Sequence, residues 1–235
     1  MPTKTRTRKR KLPWYLRPFK WLLWFVILSV AWVLLYAVVP PPVTITMLTD
    51  GNGITKDWTS LSAIDRNMVR AAIAAEDGKF CSHAGFDRDA IEDAMQRNAK
   101  GKRLRGGSTI SQQTAKNVFL WQGSGWTRYV RKVPEVWFTF LIEKLWSKRR
   151  IMEVYLNVAE TGIGTYGVEA GAQRYFRKSA AKLTPQEAAR IAAILPLPKK
   201  REAISPSGFT RRYGNTIAAR IGQVRRDGLD ACIYE

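Results

Sequence analysis

Between Trp21 and Val39 the chain runs nineteen residues without a charge, WLLWFVILSVAWVLLYAVV. At about 1.5 Å per residue a helix over this stretch is about 29 Å long, close to the hydrocarbon core of a bilayer. The run is too long for a signal peptide, and Pro40 stands where a cleavage site would fall. Trp21, Trp24 and Tyr36 lie near its ends, where amphipathic rings favour the membrane interface. Residues 1–20 carry eight Lys or Arg and no acid. The positive-inside rule then places the N-terminus in the cytoplasm and the bulk of the chain across the membrane.

The chain has 235 residues, 46% of them apolar, enough for one buried core beyond the span. The formal net charge is +20, and removing the eight charges of the arm still leaves a surplus of 12. Such an excess points to polyanionic partners: nucleic acid, anionic lipid or a phosphate-bearing substrate. A domain outside the cytoplasm excludes nucleic acid. Cys81 and Cys232 show no metal-ligand spacing, and the chain has one histidine, so a zinc site is not expected. An oxidising compartment would allow the two cysteines to pair, but free thiols are the preferred expectation.

The spacing organises the chain into a basic arm (1–20), a transmembrane helix (21–39), a linker with a short strand (40–60), a domain (61–210), and a basic C-terminal helix and tail (211–235). Pro40–Pro42 makes a stiff exit, Val43–Leu48 reads as the strand and Asp50–Gly53 as a turn. From Ser62 onward helical periodicity dominates. Ser62 with Asp65 caps a helix that stops near Gly78, and Ser108 caps another. Pro134 belongs in a first turn, so the next helix starts near Lys132 and, being apolar nearly all round, is buried. Ser147 caps Lys148–Asn157, and Thr184 with Glu187 forms a capping box for a helix running to Leu195. Val118–Trp126 reads equally as a membrane-near flap or as core. The basic face of the last helix suits anionic headgroups. Gly162–Gly167 spells G-x-G-x-x-G but follows a helix, and Ser179-x-x-Lys182 lacks its companion motifs, so neither carries chemistry.

The chemistry-bearing residues gather in three stretches. Ala74–Asp87, AAEDGKFCSHAGFD, combines Glu76, Asp77, Phe80, His83 and Asp87. Glu76 and Asp77 fall at the negative end of a helix dipole, which raises a carboxylate pKa toward that of a general base. The plainer alternative is two solvated acids. Lys100–Gly107 is a basic, glycine-rich loop leading into Ser108–Asn117; its helix start, with Gln112, Gln113 and Lys116, suits an anion cradle, against the alternative of a flexible loop before a surface helix. Glu135 sits on an apolar helix beside Arg131 and Lys132, an arrangement that also serves as a structural ion pair.

Together these motifs resemble the biosynthetic peptidoglycan glycosyltransferases, in the form with one membrane anchor and no transpeptidase domain. The resemblance covers roughly residues 64–208. Glu76-Asp77-x-x-Phe80-x-x-His83-x-Gly85-x-Asp87 fits the first motif, and Gly106-Gly107-Ser108-Thr109-Ile110-Ser111-Gln112-Gln113 with Lys116-Asn117 the second. Arg131-Lys132-x-x-Glu135, Glu143, Ser147-Lys148, Glu153 and Tyr155-Leu156-Asn157 fit the third; Gly167-x-Glu169-Ala170 with Tyr175-Phe176 fits the fourth.

The resemblance implies a mostly α, lysozyme-like helical domain that polymerises lipid II into glycan strands and releases undecaprenyl diphosphate. By position, Glu76 is the base for the acceptor hydroxyl and Glu135 the second catalytic carboxylate, on the donor side. Ser108, Gln112, Gln113, Lys116, Arg131 and Lys132 bind substrate, the cations at its pyrophosphate. Arg128 stands in for an arginine that the family places before its third motif. Asp77, Phe80 and His83 support the cleft. No fixed cofactor is implied, although a divalent cation (Mg or Mn) can accompany the pyrophosphate. The implied partners are lipid II, the growing strand, membrane lipid, and other cell-wall synthases and division proteins. The implied place is the bacterial inner membrane. A glycan-cleaving, lysozyme-like enzyme is the alternative, since it too would use a carboxylate acid. A membrane-anchored binding protein without catalysis is the third reading.

Overall fold

The structure is a computed structural model describing Pro13, Tyr15 and residues 17–99, 107–123 and 125–234, the side chains of 97–99 excepted. Most of the basic arm and residues 100–106 of the glycine-rich loop, including Gly106, lie outside the described residues.

Helix α1 (Arg17–Val38) is long and apolar enough to cross a membrane, and almost all of it is exposed. Its C-terminal half is fastened to the domain. Trp137 Nε1 donates to Ser29 Oγ (3.0 Å) and Trp146 Nε1 to the Val33 carbonyl (2.8 Å). The Arg150 guanidinium donates to the carbonyls of Tyr36 and Val39, closing the negative end of α1 with a cation. Trp32 meets the edges of Phe119 and Phe138, which stack on each other. The C-terminal half of α1 is therefore bonded and packed against the domain.

Residues expected as a strand form a short helix, α2 (Ile45–Leu48). The Thr44 hydroxyl caps it, Met47 is buried, and Thr46 Oγ1 donates to the Leu120 carbonyl. Cap and burial override the strand preference of the β-branched residues. The chain then makes β1 (Thr55–Lys56), α3 (Arg66–Glu76), α4 (Arg88–Ala99), α5 (Ile110–Phe119), α6 (Thr127–Leu145) and α7 (Lys148–Val158). The hairpin β2 (Glu160–Gly162) and β3 (Thr165–Tyr166) follows, with β1 adding in parallel to β3. Helices α8 (Val168–Phe176), α9 (Pro185–Ile194), α10 (Gly208–Arg226) and α11 (Ala231–Tyr234) complete the fold.

The core is helix on helix: α3, α9 and α10 pack mutually, and α5 packs between α6 and α7. Met68, Ile73, Phe80, Ile142, Ile151, Tyr155, Ile191 and Ile217 are fully buried within it. Several helix ends differ from expectation. Asp65, not Ser62, caps α3 by accepting from Asn67 N–H at 2.7 Å. That helix ends at Glu76 because the Asp77 carboxylate is drawn into tertiary bonds, so Gly78 is not its stop. Thr109, one residue after Ser108, caps α5 in a reciprocal box with Gln112.

Helix α6 starts at Thr127, two turns before Pro134. Trp126's carbonyl accepts from Tyr129 and Val130, and Arg131 Nη1 donates to the Trp121 carbonyl, so tertiary bonds hold the turns that Pro134 weakens. Nor is α6 buried all round: Tyr129, Val130, Val133, Val136 and Phe140 are exposed, with Val133 at 75%. Val118, Phe119 and Leu120 are core, while Trp126 is exposed.

Cys81 and Cys232 form a disulfide, contrary to the expectation of free thiols. A separation of 151 residues hid the pairing in the sequence; the fold brings α11 against α7 and the two Cα atoms to 5.5 Å.

Candidate active site

Glu76 is the last residue of α3, and the Asp77 backbone leaves the helix there. The Asp77 carboxylate accepts from Ile110 N–H (2.9 Å), at the start of α5, and pairs with His83 Nε2 (2.9 Å). Gly85 N–H donates to His83 Nδ1 (3.1 Å). Nδ1 is therefore the acceptor, and Nε2–H points at Asp77. Thr109 Oγ1 donates to the Gly85 carbonyl (2.7 Å), and Lys148 Nζ to the His83 carbonyl (2.7 Å). Lys148 also lies over the Phe80 ring and pairs with Glu143 (2.8 Å), which accepts from Ser111. Asp77, Phe80 and His83 are thus held by neighbouring elements. They tie the loop after Glu76 to α5, α6 and α7 and fix where Glu76 points.

Gln113 Nε2 donates to Glu76 Oε2 at 2.8 Å, and Glu76 Oε1 is buried without a hydrogen-bond partner among the described residues. Burial pushes the Glu76 carboxyl above its ordinary pKa; Gln113 and the charges of Lys116 and Arg201 oppose that rise. A hollow of about 170 Å³ opens beside Glu76, lined by Ala75, Asp77, Gly78, Gly107 and Ser108. Ser108 is therefore at the mouth of the site, although it is not the helix cap.

On α6, Glu135 is 3% exposed. It accepts from Lys132 Nζ at 2.5 Å and lies 3.6 Å from Arg131 Nη2. This is the cationic company that a buried carboxylate requires. Lys116, on α5, stands in the fields of both Glu76 and Glu135, and of Arg131 and Lys132. Burial, reinforced by the neighbouring cations, lowers the Lys116 pKa. Its ammonium has no hydrogen-bond or ion-pair partner among the described residues. Glu76, Gln113, Lys116, Arg131, Lys132 and Glu135 are brought together. Gln112 is buried in the cap of α5, facing Thr109, and Arg128 is exposed in the first turn of α6.

Two further groups border the cleft and were not singled out in the sequence. Arg201 acts on Glu76 through its charge, and Glu160 acts in the same way with Lys116 and Lys199. The signal for Arg201 was the basic run Lys199-Lys200-Arg201 directly after the proline stop. Glu160 had no sequence signal, since its place depends on the β2–β3 hairpin. Among the described residues no three His, Cys, Asp or Glu converge as a metal centre, and Glu135 is already engaged by cations.

Such a cleft, on a helical domain with an apolar anchor, matches a known family. Residues 44–221 fit the family model described as Transglycosylase. The chain belongs to the transglycosylase family. It is 52% identical to the biosynthetic peptidoglycan transglycosylase of Caulobacter vibrioides, over 86% of this chain and 88% of that one. It is 48% identical to the protein of the same name from Rhodospirillum centenum (89% and 91% covered). The corresponding figure for the protein of that name from Xanthomonas axonopodis pv. citri is 44% (88% and 90%).

Proposed function

We propose that the chain is a peptidoglycan glycosyltransferase of cell-wall synthesis that polymerises lipid II and releases undecaprenyl diphosphate. The observation that supports this reading is Lys116, a half-buried cation with no partner among the described residues, standing in the fields of two carboxylates, Glu76 and Glu135. Glu76, whose Oε1 has no hydrogen-bond partner among the described residues, takes the proton of the acceptor's 4-hydroxyl as the hydroxyl oxygen attacks the donor's anomeric carbon. The bond to the diphosphate breaks, and negative charge develops where Lys116, Arg131 and Lys132 converge. Glu135 keeps Arg131 and Lys132 aimed at that place. A divalent cation, magnesium or manganese, would be held chiefly by the diphosphate's own oxygens.

The exposed apolar side of α6 supports a membrane-borne substrate. Val133, Val136 and Phe140 extend the apolar surface of α1, so the cleft meets the bilayer where a polyprenyl chain would enter. The N-terminus lies in the cytoplasm and the domain outside the bacterial inner membrane. The Cys81–Cys232 disulfide supports that orientation, because such bonds persist in oxidising compartments. Partners then include the growing strand, membrane lipid, and other cell-wall synthases and division proteins. Incubation of the full chain with lipid II in detergent should yield glycan polymer. Release of soluble fragments from purified sacculi, with no polymer from lipid II, would support the glycan-cleaving alternative instead.

A further inference from the structure

A second hollow, of about 210 Å³, opens between the β2–β3 hairpin, α8 and the turn after α9. Arg174, Tyr175, Lys199, Lys200, Arg201 and Glu202 line it. Four cations therefore face one acid. Lys199 is neutralised by Asp50 (2.9 Å) and Glu160 (3.6 Å). Glu202 is turned to its own backbone, accepting from the N–H groups of Ala203 (2.8 Å) and Ile204 (3.1 Å).

The other three charges pair with no carboxylate among the described residues. Arg174 donates to the Ile163 carbonyl (2.9 Å) and Thr165 Oγ1 (2.6 Å), and Arg201 to the Ala193 carbonyl (2.5 Å). The Lys200 ammonium has no partner among the described residues. Like charges gathered in one concavity repel one another unless an anion joins them.

The wall of the hollow is shaped at Gly162, where a Cβ would lie 2.7 Å from the Tyr175 hydroxyl and 3.4 Å from Arg174 Nε. The hollow is also continuous in its electrostatics with the cleft, for Arg201 acts on Glu76 and Lys199 on Glu160, which in turn feels Lys116.

We infer that this hollow binds the carboxylates of the short acidic peptide carried by the substrate. The inference rests on the polymerase reading above. The diphosphate already has its own cations in Lys116, Arg131 and Lys132, across the cleft. Lys200 supplies the free charge, Arg174 and Arg201 fix the direction of approach, and the Tyr175 hydroxyl is available as a donor. Holding the peptide here places the acceptor sugar beside Glu76.

Lys200 is the residue to change, because Arg174 braces the hairpin and Arg201 acts on Glu76. The full chain in detergent is compared with Lys200→Ala and Lys200→Glu on two substrates: lipid II with free peptide carboxylates, and the same lipid with them amidated. On the acidic substrate KM should rise about threefold for Lys200→Ala and about tenfold for Lys200→Glu, with kcat within about twofold. On the amidated substrate the KM of each variant should stay within about twofold of the unmodified protein's. An equal rise on both substrates would overturn the inference, since the hollow would then serve the diphosphate or the shape of the cleft. An unchanged KM on both would overturn it as well. Absence of polymer from the unmodified protein on either substrate would instead overturn the polymerase reading, and the inference with it.

Discussion

The Gln113 amide donates to one oxygen of Glu76 at 2.8 Å and leaves the other oxygen buried, with no partner among the described residues. One bond orients the carboxylate; the bare oxygen is the one that can accept a proton. Burial raises the pKa of Glu76, and the Gln113 bond, which favours the ionised form, holds it down. Gln113→Leu removes that restraint, so Glu76 stays protonated to higher pH. Since a base must be ionised to act, the acid limb of the kcat/KM profile should move upward. The variant should be roughly tenfold slower than the unmodified enzyme at pH 6, with a smaller deficit at pH 9. A uniform deficit at all pH values would assign Gln113 to substrate binding instead.

The Cys81–Cys232 bond closes a loop of 151 residues and pins α11 beside the loop that carries Phe80 and His83. Loops of this size gain most from a crosslink, in the chain-entropy account. Cys232→Ser should cost about 3 kcal/mol and lower Tm by about 6–12 °C. Alkylation before reduction should modify neither cysteine.

Gly85 has φ +89°, and a Cβ there would lie 2.9 Å from both Glu143 Cγ and Thr139 Cγ2. Gly85→Ala therefore combines a left-handed backbone with overpacking against the Glu143–Lys148 brace. It should destabilise by about 2–4 kcal/mol, read as a lowered midpoint in thermal unfolding.

The exposed stripe of α6 should matter in a bilayer and not in free detergent solution. Val133→Glu with Phe140→Glu alters side chains that are 75% and 48% exposed. Folding, followed by circular dichroism, should be preserved. Polymerisation of lipid II in vesicles should fall about tenfold or more, and in detergent by about twofold or less.

What was legible in the sequence was what local chemistry determines. The uncharged run gave the long apolar helix, Thr184 with Glu187 gave the cap of α9, and Glu135 demanded the cations that lie one turn away. What was hidden depends on segments distant in the chain. The disulfide joins residues 151 positions apart, and α2 is helical because Leu120 and the core receive it. Helix α6 tolerates Pro134 because Trp121 and Trp126 accept bonds from its first turns. Its apolar surround suggested burial, yet Val133, Val136 and Phe140 are exposed. Arg201 and Glu160 enter the site through a turn and a hairpin whose positions no periodicity records.

The most direct test of Glu76 as the base is the rate of lipid II polymerisation by Glu76→Gln, a near-isosteric change that keeps a partner for Gln113. The rate should fall by about 10²–10⁴-fold, with the substrate still bound and the fold intact. Retention of most of the activity at neutral pH would contradict the assignment.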